Sequence, residues 1–174
     1  MFDSFCPDKT ISGVYDLDFE SLYDSGIRGL TFDIDNTLVP DGAPADEKAS
    51  ALFCRLKDIG FKCCLISNNS KDRVETFAKA VGADYLFKMS KPSQKGFAQA
   101  MEIMNTSLKD TVHFGDQLFT DVWGANRAGM TVYLVAPLDT SHEPFWIRVK
   151  RVLEKFVFFV LRLSKGRLKR DRRI

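Results

Sequence analysis

The sequence predicts an α/β fold, a parallel sheet of about five strands with helices on both faces. Three observations carry that expectation. Between Gly29 and Pro137, short runs rich in β-branched and aromatic residues alternate strictly with amphipathic stretches. Each run gives way to a polar residue or a turn former. A chain of 174 residues, 45% hydrophobic and 28% charged, has the composition of one compact domain.

The elements follow in order. "GLTFDI", starting at Gly29, is the first strand of the series. "DEKASALFCRLKDIG" puts Ala49, Leu52, Phe53 and Leu56 on one face and stops at Gly60, which makes it a helix. "KCCLIS" is the second strand, "KDRVETFAKAVG" a helix and "ADYLFK" a short third strand. "SQKGFAQAMEIMN" is the next helix, and "TVHFGD" and "TVYLVAP" are strands with the helix "DVWGANRAG" between them. Alternation of this kind builds a Rossmann-like sheet with right-handed crossovers, and ligands then sit beyond the carboxyl ends of its strands.

The polar residues fall on that rim. Asp33 and Asp35 end the first strand, Ser67 ends the second, Lys91 in "SKPSQKG" follows the third, and Asp116 in "FGDQLFTD" ends the fourth. Two aspartates one residue apart after an apolar run, with no cation beside them in sequence, need a neutraliser, and a divalent cation is the simplest one. Phosphoryl transfer uses such a set. Asp33 is the candidate nucleophile, ionised without help at neutral pH. Asp35 is the candidate proton donor and later the base for water, so it must carry a proton for part of the cycle, with a pKa raised by partial burial and negative neighbours. Thr37 can orient either carboxylate through its hydroxyl. Ser67, the backbone N–H groups at Asn68, and Lys91 are the candidate phosphate ligands. Mg2+ prefers about six oxygens, which Asp33, Asp116, the main-chain carbonyl near Asp35, phosphate and water can provide. Asp121 can hold a metal-bound water or orient Lys91. The structural reading of the same residues is turn formation and capping, with Asp121 as an N-cap. His113 reads as a packed strand residue, His142 as a loop residue and Trp123 as core.

"DIDNTL", Ser67, Lys91 followed by Pro92, and "GDQLFTD" resemble the four ordered motifs of the haloacid dehalogenase phosphatase superfamily. The likeness is closer to its small, capless YqeG-type branch, related to the mitochondrial phosphatidylglycerophosphate phosphatase, and runs over roughly residues 5 to 150. It implies a Mg2+-dependent monoesterase with an aspartyl-phosphate intermediate, and phosphatidylglycerophosphate as the leading substrate. Neither the interval from Thr37 to Ser67 nor that from Ser67 to Lys91 has room for a separate lid domain, so an open site is expected. Such a site suits a substrate too large or too embedded to be enclosed.

The remaining features bear on place and partners. The cysteines Cys6, Cys54, Cys63 and Cys64 lack zinc-ligand spacing and read as reduced thiols of a cytoplasmic protein. The start of the chain resembles neither a secretory signal nor a transit peptide. The longest apolar run, Phe156 to Leu161, is far short of the ~20 residues that span a bilayer. Residues 143–174 hold 11 Lys+Arg against 3 Asp+Glu, whereas residues 1–142 hold 14 against 20. The division is therefore a phosphatase domain over 1–142 and a basic amphipathic helix and tail over 143–174. On a helical wheel Val149, Val152, Leu153, Phe156, Val160 and Leu163 share a face, with Arg148, Arg151, Lys155 and Arg162 opposite. This helix either packs on the domain or lies on an anionic membrane, which would make the protein peripheral on the inner face of the cytoplasmic membrane. Nucleic acid would also attract it. The rival functions are a phosphatase for a nucleic-acid end or a soluble sugar phosphate, and a non-catalytic binding protein on the same fold.

Overall fold

The computed structural model describes residues 3–139, Ser141, Ile147, Val149, 152–154 and Val157. Six strands form one wholly parallel sheet: β1 (Lys9–Ile11), β2 (Gly29–Phe32), β3 (Lys62–Ile66), β4 (Asp84–Leu86), β5 (Thr111–Gly115) and β6 (Thr131–Val135), in the spatial order β1-β6-β5-β2-β3-β4. The helices are α1 (Phe19–Asp24), α2 (Glu47–Ile59), α3 (Lys71–Val81), α4 (Lys95–Met104) and α5 (Trp123–Ala128).

Side-chain alternation along the strands feeds two cores. Leu30, Phe32, Leu65, Val112 and Phe114 point to one face, where they meet Phe19 of α1, Leu52, Phe53 and Leu56 of α2, and Val74 and Phe77 of α3. Cys64, Ile66, Val132 and Leu134 point to the other, against Phe97, Ala100 and Met104 of α4 and Ala125 of α5. Burial on both faces is why the strands read as continuous apolar runs. Asp46 caps α2, its Oδ1 accepting from the Ala49 N–H at 2.7 Å, and Gly60 ends it at φ 109°.

Two elements exceed the expected five strands and four helices. Strand β1 has three residues, none of them buried, and takes the edge beside β6; so short and exposed a run carries no period-two signal. Helix α1 has six residues, too few for a helical pattern, although the Asp18 cap on the Ser21 N–H at 2.9 Å was present in the letters. The helix expected from Asp121 instead begins as a π-helical turn, Leu118–Val122, that runs directly into α5.

Of the C-terminal segment, the described residues Ile147, Val149, 152–154 and Val157 are helical. Glu154 is buried, and Val157 packs against the core of the α4/α5 face. Val149, Val152 and Leu153 face outward at 38%, 66% and 52% exposure. The expected cationic face at Arg148, Arg151, Lys155 and Arg162, the apolar Phe156, Val160 and Leu163, the basic tail and His142 lie outside the described residues. Among the described residues, no helix is long and apolar enough to cross a membrane.

Candidate active site

The strand order places the site. From β2 the chain builds β3 and β4 on one side, then crosses through α4 to build β5 and β6 on the other. The order therefore reverses at β2, and a crevice opens at the carboxyl end where β2 and β5 part. Phe32 stands in register with Phe114, and the Asp33 N–H donates to the Phe114 carbonyl at 2.9 Å. Asp33 and Asp116 thus leave neighbouring strands side by side. With Asp121 they form a buried group whose carboxylate oxygens lie within 4.8 Å of one another.

Lys91 closes that group from above. It stands on the turn ahead of α4, next to a cis bond to Pro92, with its side chain 2% exposed. Its Nζ donates to Asp33 Oδ1 and, at 2.6 Å, to Asp121 Oδ1. Asn68 fixes the Lys91 backbone from both sides: the Lys91 N–H donates to Asn68 Oδ1 at 2.6 Å, and Asn68 Nδ2 donates to the Lys91 carbonyl at 3.2 Å. A lysine buried this deeply is an ion-pair partner, not a solvated charge.

Asp121 is held inward. Its Oδ2 accepts from the Gln117 N–H at 3.1 Å and from the Thr120 hydroxyl at 3.3 Å, and its Oδ1 lies 3.2 Å from His113 Nε2. Its role as a simple helix cap is thereby excluded. The π-helical turn wraps Asp121 tightly over the end of β5: a Cβ on Gly115 would stand 2.3 Å from Asp121 Cγ. His113 joins this network, which sequence reasoning did not anticipate. A carboxylate only accepts, so His113 Nε2 carries the proton and Nδ1 accepts from the Thr31 hydroxyl at 2.9 Å. Thr31 and His113 face each other in register across β2 and β5, a pairing that becomes visible only with the sheet order.

The charges do not balance. Burial opposes ionisation of Asp121, but the Lys91 charge and the His113 hydrogen bond outweigh it and hold the carboxyl well below its usual range. Burial drives Asp33 well above that range, against the pull of Lys91 and with the push of Asp121 and Asp116. Burial also keeps His113 neutral. Desolvation works against the Lys91 ammonium, yet Asp121 and Asp33 hold its pKa above the ordinary lysine value. One ammonium does not offset three buried carboxyls, so Asp33 holds its proton, and the group presents a cluster of oxygen donors, the donor set of a hard divalent cation.

Asp35 has a different setting. Its Oδ1 accepts from the Gly42 N–H and from Arg73 Nη2, each at 2.9 Å, and its Oδ2 accepts from Asn69 Nδ2 at 3.0 Å. These bonds tie the side chain to the Asp35–Ala43 flap, to Asn69 and to α3, outside the buried acidic group, so a metal contact at Asp35 falls to its main-chain carbonyl, as the sequence reading had it. Arg73, which the sequence did not single out, also donates to the Ala43 carbonyl at 2.5 Å. Thr37 requires a correction. It is fully buried, but its Oγ1 bonds to neither Asp33 nor Asp35. Its backbone N–H donates to Ile34 at 3.2 Å, within a turn that Asn36 completes at φ 61°. Ser67 is buried beyond β3, and its Oγ accepts from the Asn69 N–H at 3.1 Å.

Above this floor lies a cleft of about 250 Å³. Asp33, Asp35, Ser67, Asn68 and Lys91 line it, joined by Asp41 and Asn69 on one side and by Gln117, Thr120 and Ile147 on the other. Five of the eight site residues singled out in the sequence therefore meet in one cavity, with Asp116 and Asp121 beneath it and Thr37 apart from it.

Comparison with known proteins agrees with this geometry. Residues 44–129 match the haloacid dehalogenase-like hydrolase family. The chain is 34% identical over 165 residues to the Bacillus subtilis protein named "Probable phosphatase YqeG", covering 94% of this chain and 95% of that one. It is 29% identical over 164 residues to the chloroplastic/mitochondrial phosphatidylglycerophosphate phosphatase 1 of Arabidopsis thaliana, covering 85% of this chain but only 45% of the plant protein. An uncharacterized protein from Listeria monocytogenes shares the fold at a TM-score of 0.52 and 20% identity, over 68% of this chain and 85% of its own. With catalytic-type carboxylates on adjacent strands at a switch point and a near full-length relative of the same kind, the chain belongs to the haloacid dehalogenase-like hydrolases, as a phosphatase of the YqeG branch.

Proposed function

We propose that this phosphatase is Mg2+-dependent, that Asp33 is its nucleophile, and that its substrate is phosphatidylglycerophosphate presented at the cytoplasmic face of a membrane. The observation that carries the chemistry is the Asp33–Lys91–Asp121 chain on the floor of an open polar cleft, with Asp116 alongside. Asp33, Asp116 and Asp121 are the residues that would hold Mg2+, directly or through water. When bound, the ion neutralises the carboxylates and the phosphate so that the two anions can approach.

The chain's own residues supply the rest. An Asp33 oxygen forms a bond to phosphorus as the ester P–O bond breaks, giving an aspartyl-phosphate and an alkoxide that takes a proton from Asp35. Water then attacks the phosphoryl group, Asp35 takes back a proton, and Asp33 leaves as carboxylate. Lys91 and Ser67 face the transferred oxygens, and Asp121 with His113 keeps the Lys91 ammonium aimed at them.

Support for a lipid phosphate comes from the plant relative's name, from a cleft that no separate domain covers among the described residues, and from the basic composition of residues 143–174. The outward Val149, Val152 and Leu153 add an apolar surface beside that charge. The test is phosphate release from phosphatidylglycerophosphate in anionic vesicles and from soluble sugar and nucleotide monoesters, with Mg2+ or with chelator. Asp33→Asn should abolish all turnover, and Asp35→Asn should slow esters with poor leaving groups most. Faster release from a soluble ester than from the lipid overturns the substrate assignment, and undiminished turnover in chelator overturns the metal.

A further inference from the structure

The cleft has one lining residue that phosphoryl chemistry does not use. Every other described side chain on its wall is polar, and Ile147 alone is apolar. Ile147 comes from the C-terminal segment, far in sequence from the motifs, and it is half-buried where it meets the cleft. Seven residues on, about two helical turns, Glu154 is 6% exposed, and its Oε1 accepts from the Leu118 N–H at 2.7 Å. Leu118 is the first residue of the π-helical turn that carries Asp121. Val157, about one turn further, packs on the α4/α5 core. These three positions share one helical face, and the exposed Val149, Val152 and Leu153 form the adjoining stripe.

Burying a carboxylate needs compensation, and the Leu118 N–H supplies part of it. Here the amide belongs to the loop that aims Lys91. The wall and the catalytic floor therefore share an anchor.

We propose that the C-terminal segment supplies an apolar wall to the active-site mouth through Ile147, the contact for the carbon skeleton of the substrate, with Glu154 as the residue that positions it. The floor recognises the phosphate, whereas the wall selects what the phosphate is attached to. The wall therefore favours esters whose carbon chain continues past the first few atoms over short polar ones. This inference rests on the phosphomonoesterase reading but not on the lipid, since a soluble alkyl chain has the same chemistry.

The experiment measures kcat and KM for hexyl phosphate and glycerol phosphate, in the full chain with Mg2+, for wild type, Ile147→Ala, Glu154→Ala and Glu154→Gln. Loss of the Ile147 contact should lower the preference for hexyl over glycerol phosphate, as a ratio of kcat/KM, by about tenfold. The loss should sit in KM for the alkyl ester. Glu154→Ala should lower the same ratio, and Glu154→Gln should restore much of it, because an amide oxygen still accepts from the Leu118 N–H. A ratio unchanged in Ile147→Ala overturns the proposal, as does an equal loss on both esters. If Glu154→Ala fails to fold, Ile147→Ala, which removes a half-buried side chain at the cleft edge, decides alone. Absence of turnover on either ester in the wild type would instead refute the phosphomonoesterase reading on which the wall depends.

Discussion

Replacing Lys91 by Met removes the ammonium but keeps an unbranched stem of similar length in a site where the lysine side chain is 2% exposed. Packing is largely preserved, so the electrostatic effect is isolated. Without Lys91, Asp33 and Asp121 lose the cation that both contact, in a pocket that also holds Asp116. Removing one partner of a buried pair costs about 3–5 kcal/mol. For a domain of this size that lowers Tm by roughly 6–20 °C, at about 2–4 °C per kcal/mol. Millimolar Mg2+ should return part of the loss, because a cation among the carboxylates replaces the missing charge. Thermal melts of both proteins, in chelator and in Mg2+, measure the two effects, and turnover should fall by about 10²–10³ when an oxyanion-stabilising donor is lost. A Lys91→Met protein that melts within ~2 °C of wild type in chelator refutes the claim that the Lys91 ammonium offsets this buried acidic group.

Two further perturbations address the same floor. Gly115→Ala places a methyl group 2.3 Å from Asp121 Cγ, so the π-helical turn must shift. A stability loss of about 1–3 kcal/mol by denaturant melt, with activity reduced far more than an equal loss elsewhere would cause, is expected; unchanged kcat would mean that the Asp121 position is immaterial. The pH profile of the metal-free protein should have two limbs. Burial raises Asp33, so the native state keeps a proton that the unfolded chain releases near pH ~3.9. Stability then falls as pH rises from there to the raised value, by up to about 1.4 kcal/mol per pH unit. Asp121 has the opposite sign: its folded-state pKa is depressed, and the stability it contributes is lost on acidification below the ordinary carboxylate range. Asp33→Asn should erase the upper limb, and a decline that persists in that variant points to another group.

Much of this site was legible before any coordinates. Asp33, Ser67 and Asp116 each mark the point where an apolar strand run stops, and a parallel sheet sends all such points to one edge. Their convergence follows from alternation alone. Partners that depend on strand order were not legible: His113 reads as one more core residue until β5 lies beside β2 and brings Thr31 to its ring. Arg73 is invisible for another reason, since a helix's solvent face and its flap-facing edge have the same composition. Thr37 misled because its motif position suggests a hydroxyl role, whereas in the fold it sits inside a turn built by Asn36. Of the apolar stripe read in the C-terminal segment, the described Val149, Val152 and Leu153 face outward. What packs inward is the adjoining stripe of Ile147, Glu154 and Val157, in which a lone acid gave no hint of an anchor.

The paired hydrogen bonds between Asn68 and Lys91 make one mechanical body of two loops that lie far apart in the chain. Across the cleft, Arg73 bolts the Asp35–Ala43 flap to α3 through the Asp35 carboxylate and the Ala43 carbonyl. Asn69, next to Asn68, donates to the same Asp35 carboxylate, so the flap and the Lys91 loop are joined through Asp35. A wholesale change of substrate range could then be sought in the flap and at Arg73, leaving the grip on the phosphoryl group untouched.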